Sequence, residues 1–359
     1  MGAAPACAGD TSLDNFGGNL VTPRSAHTAT LLSNGQVLLA GGSDDTKAAL
    51  SSAELYNPAT NTWIATGSLN NARFFHSAIR MADGRVLVVG GELPLNYDVP
   101  TAEIYDPATG AWTLAATPNS PHTDFDPVLL PNGKVLVAGG VSHAISGETA
   151  IAELYDPSTG TWSLTGSLNH ARGGYKAVVL SSGKILITGG YGPGTYPYPP
   201  QTEIYDPATG VFSDSGSLNI PRANHAAVLL KNGRVLVAGG YRSSGGKSQV
   251  LAASEIYDPT TGLWMQTGSL TTRRAVFTAS VLTNGRVFAA GGYDNSFQAL
   301  ESIEEYSPAS GSWRVLRPTL ATPRFQHTTT TLLDGSLIMA GGANNSGLIP
   351  AADLFIRPH

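Results

Sequence analysis

Apolar residues recur in a regular pattern along the chain. A short apolar run is closed by a Gly-Gly pair in seven places, spaced by about 50 residues. Before each run come a second apolar segment and a two-residue turn of the Asn-Gly, Asp-Gly or Ser-Gly type, as in residues 225–238. Asn, Asp and Gly tolerate the positive φ that a type I′ turn needs, so the pattern predicts a β-hairpin in every repeat. The pairs begin at Gly41, Gly90, Gly139, Gly189, Gly239, Gly291 and Gly341.

Two further strands are predicted after each Gly-Gly pair. A loop of variable sequence leads into a segment close to Glu-x-Tyr-Asp-Pro, and a short turn then leads into a segment with a central aromatic residue. Four short strands per repeat of this length are typical of a propeller blade. The sequence therefore predicts an all-β fold, a seven-bladed β-propeller with four antiparallel strands per blade. The tyrosines are Tyr56, Tyr105, Tyr155, Tyr205, Tyr257 and Tyr306, and the aromatic residues of the fourth strand are Trp63, Trp112, Trp162, Phe212, Trp264 and Trp313.

The last blade lacks an aromatic fourth strand of its own after residues 351–356. Residues 13–20 precede Arg24 at the offset that separates a fourth strand from the next arginine in other repeats. A strand donated from the N-terminal side would cover two exposed sheet edges. We therefore expect residues 13–20 to supply the outer strand of the last blade, residues 13–359 to form one domain, and residues 1–12 to be a flexible tail.

Composition narrows the classes of function. The net charge is −5 and no block of Lys or Arg occurs, which argues against nucleic acid as a partner. No apolar run is long enough to span a membrane. The one cysteine, Cys7, excludes disulfide frameworks and cysteine-based zinc sites. We expect a monomer. A surface rich in Ser, Thr and Asn but poor in Lys is typical of secreted bacterial proteins and favours an extracytoplasmic location, although the first residues lack the features of a signal peptide.

These repeat marks resemble those of the kelch-repeat β-propellers, which include the central domain of galactose oxidase. The resemblance extends from about Leu13 to Ile356. Besides Gly-Gly, Tyr-Asp-Pro and Trp, it includes an arginine before the first strand of six repeats. The arginines are Arg24, Arg73, Arg172, Arg222, Arg274 and Arg324.

The resemblance does not extend to the copper site of the oxidases. Phe75 stands where a tyrosine ligand is required after Arg73, and Tyr175 lies one position late after Arg172. Cys7, in the N-terminal segment, does not match the cysteine that is joined to the first tyrosine in those enzymes. We therefore predict no copper-radical chemistry, no metal and no cofactor.

The variable loops between strands two and three, and between consecutive blades, are predicted to meet at one mouth of the central channel. In kelch proteins, ligand contacts come from the residue after Gly-Gly and from the two residues after the arginine. Tyrosine-rich surfaces are typical of recognition sites. The resemblance thus implies a binding module that recognises a peptide, a protein loop or a glycan. The predicted ligand-binding residues are Phe74, Phe75, Glu92, Tyr97, Tyr191, Tyr196, Tyr198, Asn224, Tyr241, Arg242, Tyr293, Phe325 and Gln326.

Blade three departs from the other repeats, and it leaves an enzymatic alternative open. Its arginine position is occupied by His122, which Asp124 follows, and its loop carries His143. With Tyr175 of the next blade, these residues are candidates for acid/base catalysis in a carbohydrate- or metabolite-active enzyme of the epimerase, mutarotase or lyase type. The other interpretation is a local hydrogen-bond network that replaces the arginine.

Overall fold

Most of the chain is described by a computed structural model. The predicted tail of residues 1–12 lies outside the described part, as does the ligand candidate Tyr196. Among the described residues no helix is long and apolar enough to cross a membrane. The described residues are 13–14, 16–145, 147–193, 198–244, 247–317 and 319–356.

The described chain consists almost entirely of short strands. Those of its first half are β1 (Leu13–Asp14), β2 (Thr28–Leu31), β3 (Val37–Ala40), β4 (Ala53–Asn57), β5 (Thr62–Thr66), β6 (Ser77–Arg80), β7 (Val86–Val89), β8 (Glu92–Leu93), β9 (Tyr97–Asp98), β10 (Ala102–Asp106), β11 (Ala111–Leu114), β12 (Val128–Leu129), β13 (Val135–Ala138), β14 (Val141–Ser142), β15 (Gly147–Glu148), β16 (Ala152–Asp156) and β17 (Thr161–Leu164). A 3₁₀ turn over His143–Ile145 follows β14. The strands of the second half are β18 (Lys176–Val179), β19 (Ile185–Thr188), β20 (Gln201–Asp206), β21 (Val211–Ser217), β22 (Ala226–Leu229), β23 (Val235–Ala238), β24 (Tyr241–Ser244), β25 (Lys247–Val250), β26 (Ser254–Asp258), β27 (Leu263–Thr267), β28 (Thr278–Val281), β29 (Val287–Ala290), β30 (Ile303–Ser307), β31 (Ser312–Val315), β32 (Thr328–Thr331), β33 (Leu337–Ala340), β34 (Ala343–Asn344), β35 (Gly347–Leu348) and β36 (Asp353–Phe355).

These strands form seven four-stranded antiparallel sheets arranged as the blades of a propeller, which confirms the predicted fold class. From the channel outward the blades are β2-β3-β4-β5, β6-β7-β10-β11, β12-β13-β16-β17, β18-β19-β20-β21, β22-β23-β26-β27, β28-β29-β30-β31 and β32-β33-β36-β1. Small two-stranded hairpins, β8-β9, β14-β15, β24-β25 and β34-β35, extend the loops of blades two, three, five and seven. They all lie between a second and a third strand, on the face that carries the variable loops.

The seventh blade is closed by the N-terminal strand, as predicted. In β1, Leu13 lies opposite Phe355 of β36. The indole Nε1 of Trp63 in blade one donates to the carbonyl of Gly17 at 2.7 Å. The same bond recurs between other neighbouring blades, for example from Trp112 to the carbonyl of Gly67 at 2.8 Å. Each of the five tryptophans therefore ties its own blade to the one before it.

A buried arginine organises the inner end of six blades. Arg73 is fully buried and donates to the carbonyls of Gly90 and Thr101, at 2.7 and 2.8 Å, and to Glu103 at 2.9 Å. A charged group is tolerated in the core only when its donors are satisfied in this way. The arginine–carboxylate distances span 2.6 to 2.9 Å in Arg24–Glu54, Arg73–Glu103, Arg172–Glu203, Arg222–Glu255, Arg274–Glu304 and Arg324–Asp353.

The residues two positions after these six arginines, and after His122 in blade three, form a ring around the channel. All of them have a positive φ, and six backbone N–H···O bonds of 2.9 to 3.4 Å join neighbours from one blade to the next. A left-handed conformation costs about 1 kcal/mol or more for a residue other than glycine. The ring therefore keeps six residues other than glycine in this conformation at the channel mouth, and the rest of the fold must offset the free energy that this costs. Its members are Ala26, Phe75, Asp124, Gly174, Asn224, Val276 and Gln326.

Candidate functional site at the channel mouth

A cavity of about 660 Å³ opens at this ring. All six non-glycine members of the ring line it, and all seven blades contribute to its wall. The remaining lining residues are His27, Glu92, Asn96, Thr123, Val141, His143, Glu148, Lys176, Tyr191, Tyr241, Tyr293, Phe325 and His327.

One wall of the cavity is built around Asp124. The hydroxyl of Tyr191 donates to Oδ2 of Asp124 at 2.7 Å. Burial raises the pKa of Asp124, and burial together with this carboxylate raises the pKa of Tyr191. The contact requires glycine in blade four, because a Cβ at Gly174 would come within 2.6 Å of the Tyr191 ring. The Gly-Gly-Tyr sequence after Arg172 therefore makes room for Tyr191 to reach across to blade three.

Lys176 introduces a cation beside this pair. Its ammonium group lies 3.0 Å from Asp126. Burial works to lower the pKa of Lys176, but Asp126 and Asp124 raise it overall, so the lysine stays charged. The equivalent position in blade one is Thr28, whose hydroxyl is 2.9 Å from the imidazole of the next blade.

A second polar pair lies at the loops of blades two and three. The imidazole Nε2 of His143 is 2.7 Å from Glu92, and Asp98 accepts hydrogen bonds from the backbone N–H groups of His143 and Ala144 at 3.1 and 2.9 Å. These bonds hold the two loops together at the rim.

The opposite wall is aromatic. Tyr293 packs between Phe297 and Phe325, with ring centroids 5.3 and 5.8 Å apart. Tyr241 accepts a hydrogen bond from Asn224 at 3.3 Å. Burial raises the pKa of Tyr293 to about 12, so its hydroxyl remains protonated at neutral pH. The cavity is therefore acidic toward blades two and three and aromatic toward blades five to seven.

The predicted ligand-binding residues are distributed between the cavity and its surroundings. Eight of them line it: Phe75, Glu92, Tyr191, Asn224, Tyr241, Tyr293, Phe325 and Gln326. Four do not: Phe74, Tyr97, Tyr198 and Arg242. Tyr198 still packs edge-on against Tyr241 at 6.0 Å, and Tyr97 stands 64% exposed on the loop of blade two.

The four predicted catalytic residues are not brought together. His122 is buried and sits 2.6 Å from the carbonyl of Gly139 and 3.3 Å from Glu153, partners equivalent to those of the arginine in other blades. It thus occupies the arginine position structurally and does not pair with Asp124. Tyr175 is also buried and donates to the carbonyl of Ala138. Only Asp124 and His143 line the cavity, and each pairs with a different residue.

Sequence reasoning missed two charged residues of the cavity, Lys176 and Glu148. A signal for Lys176 was available, because three other repeats carry Thr at the same position, Thr28, Thr278 and Thr328. Glu148 lies in β15, opposite Val141, the residue after Gly-Gly, and its counterparts in blades two, five and seven are Asp98, Val250 and Leu348. No signal in the sequence identified it, because these loops differ in length and share no motif. In the part of the chain that the structure describes, no group of three or more His, Cys, Asp or Glu residues could hold a metal ion.

Comparisons with known proteins agree with the repeat architecture. The Kelch motif matches residues 24–70, 128–169 and 274–319. Kelch-like protein 21 of Bos taurus and of Homo sapiens is 32% identical over 76 residues, which is 21% of this chain and 12% of each relative. A solved structure described as a novel fungal alcohol oxidase of the AA5 family in complex with copper superposes with a TM-score of 0.79, covering 97% of this chain and 76% of that one. At 18% identity, that likeness establishes the fold alone.

Proposed function

We propose that this propeller, whose kelch repeats resemble those of the galactose oxidase fold, is a binding module that recognises a segment of a partner protein at the channel mouth. The observation that carries this proposal is the cavity of about 660 Å³, with carboxylates on one wall and aromatic rings on the other. Ligand pockets commonly measure roughly 300–1,000 Å³ and combine apolar walls with a few placed polar groups. A propeller fold alone does not specify a function, so the proposal depends on this site.

Two exposed apolar residues at the rim favour a protein partner over a glycan. Leu95 is 87% exposed at the tip of the blade-two hairpin, with a φ of 67°. Phe297 is 59% exposed, with a φ of 58°, in the loop of blade six. The corresponding loop of blade one has the same turn with Lys47 at that position, so the turn does not require phenylalanine. Exposed apolar side chains held in a costly backbone conformation are expected where a partner packs against them.

The test uses the repeats themselves to choose substitutions compatible with the fold. Tyr241→Ser and Tyr293→Ala copy the residues that stand after Gly-Gly in blades one and seven, Ser43 and Ala343. The probes are a phage-displayed library of random peptides and an array of glycans. Leu263→Ala, at an exposed position on an outer strand, is the matched control.

We expect peptides selected on the wild type to lose about 1–2 kcal/mol of binding free energy with each tyrosine variant and to bind the control unchanged. Circular dichroism should show that all variants keep the fold. Selected peptides that bind both tyrosine variants as tightly as the wild type would place recognition elsewhere and overturn the proposal.

A second candidate function is acid/base catalysis on a carbohydrate or small metabolite, and the burial of Asp124 in the cavity wall favours it. A carboxyl group with a raised pKa is better suited to accept and return a proton near neutral pH. The measurement is NMR of a panel of reducing sugars and their epimers incubated with the protein. Asp124→Asn should lower any turnover by about 10²–10⁴-fold. Turnover that is absent in the wild type, or equal in the variant, would eliminate this candidate.

A further inference from the structure

We infer that the group received by the channel mouth is a cation, the side chain of a lysine or arginine carried by the partner segment. This inference rests on the proposed function, because it specifies the chemistry of the segment that the mouth binds. It is argued from the charges, the acceptor atoms and the aromatic wall of the cavity.

The cavity carries an excess of negative charge. Glu92, Asp124 and Glu148 line it, whereas its lysine, Lys176, is paired with Asp126 at 3.0 Å. Among the described residues Glu148 forms no ion pair within 4.0 Å. The guanidinium of Arg242 lies outside the lining and donates to Gln249 at 3.0 Å. A cationic ligand would compensate the charges that the protein itself leaves unbalanced.

Acceptor atoms remain available at the acidic wall. Tyr191 bonds Oδ2 of Asp124, and no described residue donates a hydrogen bond to Oδ1. Thr123 adds an independent observation: it lines the cavity, is 3% exposed, and its Oγ1 has no hydrogen-bond partner in the described part of the chain. A buried polar atom without a partner is uncommon and costs stability. An ammonium or guanidinium group supplies several donors and no acceptor, which matches such a wall.

The aromatic wall complements the same ligand. Asn224 links the two walls: its backbone N–H donates to Gly174, whose own N–H donates to Asp124, and its side chain donates to Tyr241 at 3.3 Å. Asp124 also contributes, after burial, to the raised pKa of Tyr241. A cation near Asp124 would thus approach the ring of Tyr241. Cation–π contact adds about 0.5–2 kcal/mol depending on desolvation. The four-carbon stem of lysine would pack on the same ring.

A neutral sugar would complement the negative charge and the acceptor atoms of the cavity less well. Hydroxyl groups could bond to the carboxylates, but they would leave the negative charge uncompensated in a partly buried site. Keeping Asp124 ionised there costs free energy, and only a positive ligand recovers that cost through charge. The charge balance therefore favours a cation as the ligand. Binding of a glycan is one of the results that the test below can give.

The probes are five blocked pentapeptides that differ only in a central Lys, Arg, norleucine, Gln or Glu. Titration is followed by NMR and calorimetry at low ionic strength on the full chain. We expect the Lys and Arg peptides to bind about tenfold tighter than the norleucine peptide, which has nearly the same shape without the charge. Added salt should reduce this preference.

Two variants and a control locate the effect. Asp124→Asn and Glu148→Gln should each remove most of the preference for Lys over norleucine while leaving the norleucine affinity unchanged. Asp83→Asn is the matched control, because Asp83 is an exposed carboxylate in the turn before β7, outside the cavity lining. It should leave all affinities as in the wild type.

The outcomes separate the inference from the proposed function. Equal binding of the Lys and norleucine peptides, both weakened by Tyr241→Ser, would overturn the inference and keep the binding module. A glycan that binds at the mouth in place of every peptide would overturn the inference and the choice of a protein partner. Binding by no peptide and no glycan at the mouth would overturn both proposals.

Discussion

Replacing His122 tests whether this residue is a structural substitute for arginine. Its imidazole reaches the carbonyl of Gly139 and the carboxylate of Glu153, both of which are buried. His122→Arg restores the residue that the other six blades carry and offers both groups a cationic donor. We expect His122→Arg to keep the free energy of unfolding within about 1 kcal/mol of the wild type or to raise it, because the gain in charge is offset by desolvation.

His122→Ala should instead be strongly destabilising. It leaves the Gly139 carbonyl without this contact and removes a donor from Glu153, which keeps backbone bonds from Asn119 and Ser120, both at 2.8 Å. Losing a hydrogen bond to a charged group costs about 1.5–3 kcal/mol, and an orphaned buried acceptor costs about 1–3 kcal/mol. Together with the space left by the missing imidazole, the loss in free energy of unfolding should reach about 3–5 kcal/mol.

The loss should also depend on pH. Burial works to raise the pKa of Glu153, but the bonds from His122, Asn119 and Ser120 hold it below the ordinary value. A depressed carboxyl pKa contributes stability above about pH 4.3, the unfolded value, and this contribution is lost as the pH falls through the folded value. The deficit of His122→Ala should therefore be largest at neutral pH and should shrink in acid.

Guanidinium denaturation at neutral and acid pH measures these differences in stability. Titration with a peptide selected on the wild type measures the binding affinity of the channel mouth. Both variants, when folded, should bind the peptide with wild-type affinity. If His122→Arg abolished binding or turnover while leaving stability unchanged, His122 would act in the site and the structural interpretation would be refuted.

Three other changes test closure, the acidic wall and the ring. Deleting residues 1–20 removes the outer strand of the last blade and should lower stability by several kcal/mol, with aggregation seen by light scattering; an unchanged melting temperature would contradict the role of this strand. Tyr191→Phe removes a bond that lowers the pKa of Asp124, so NMR titration should show this pKa rising further, and the loss of stability should be greater at pH 7 than in acid. An unchanged Asp124 titration would mean that the bond does not form in solution. Val276→Asn, which copies Asn224 in the next position of the ring, should raise stability by about 1 kcal/mol in thermal unfolding, because a β-branched residue is strained at a φ of 53°; a drop in stability would count against the strain.

The repeat sequence determined the architecture of this protein. The hairpin turns are not of the predicted type I′, because only the glycine of each pair has a positive φ, as in Gly35 with 84° after Asn34. Gly-Gly pairs, turns ending in glycine and aromatic fourth strands nevertheless act within a blade or between neighbours, so each repeat predicts its own four strands. The missing fourth strand of the last repeat, together with the offset of residues 13–20 from Arg24, was sufficient to predict the closure of the ring. Repetition turned weak local signals into a definite fold, because the same backbone geometry had to suit every copy.

The site was determined by tertiary structure. Asp124 meets Tyr191, 67 residues later, only because the ring places blades three and four side by side and Gly174 leaves space between them. His122 and Asp124 are two residues apart in sequence, yet one points into the blade and the other toward the channel. That difference arises from the left-handed turn at Asp124 and from the buried carboxylate of Glu153, which holds His122 inside. Residue type and spacing identified the face that carries the cavity, but the direction and partner of each side chain depended on contacts between residues distant in sequence.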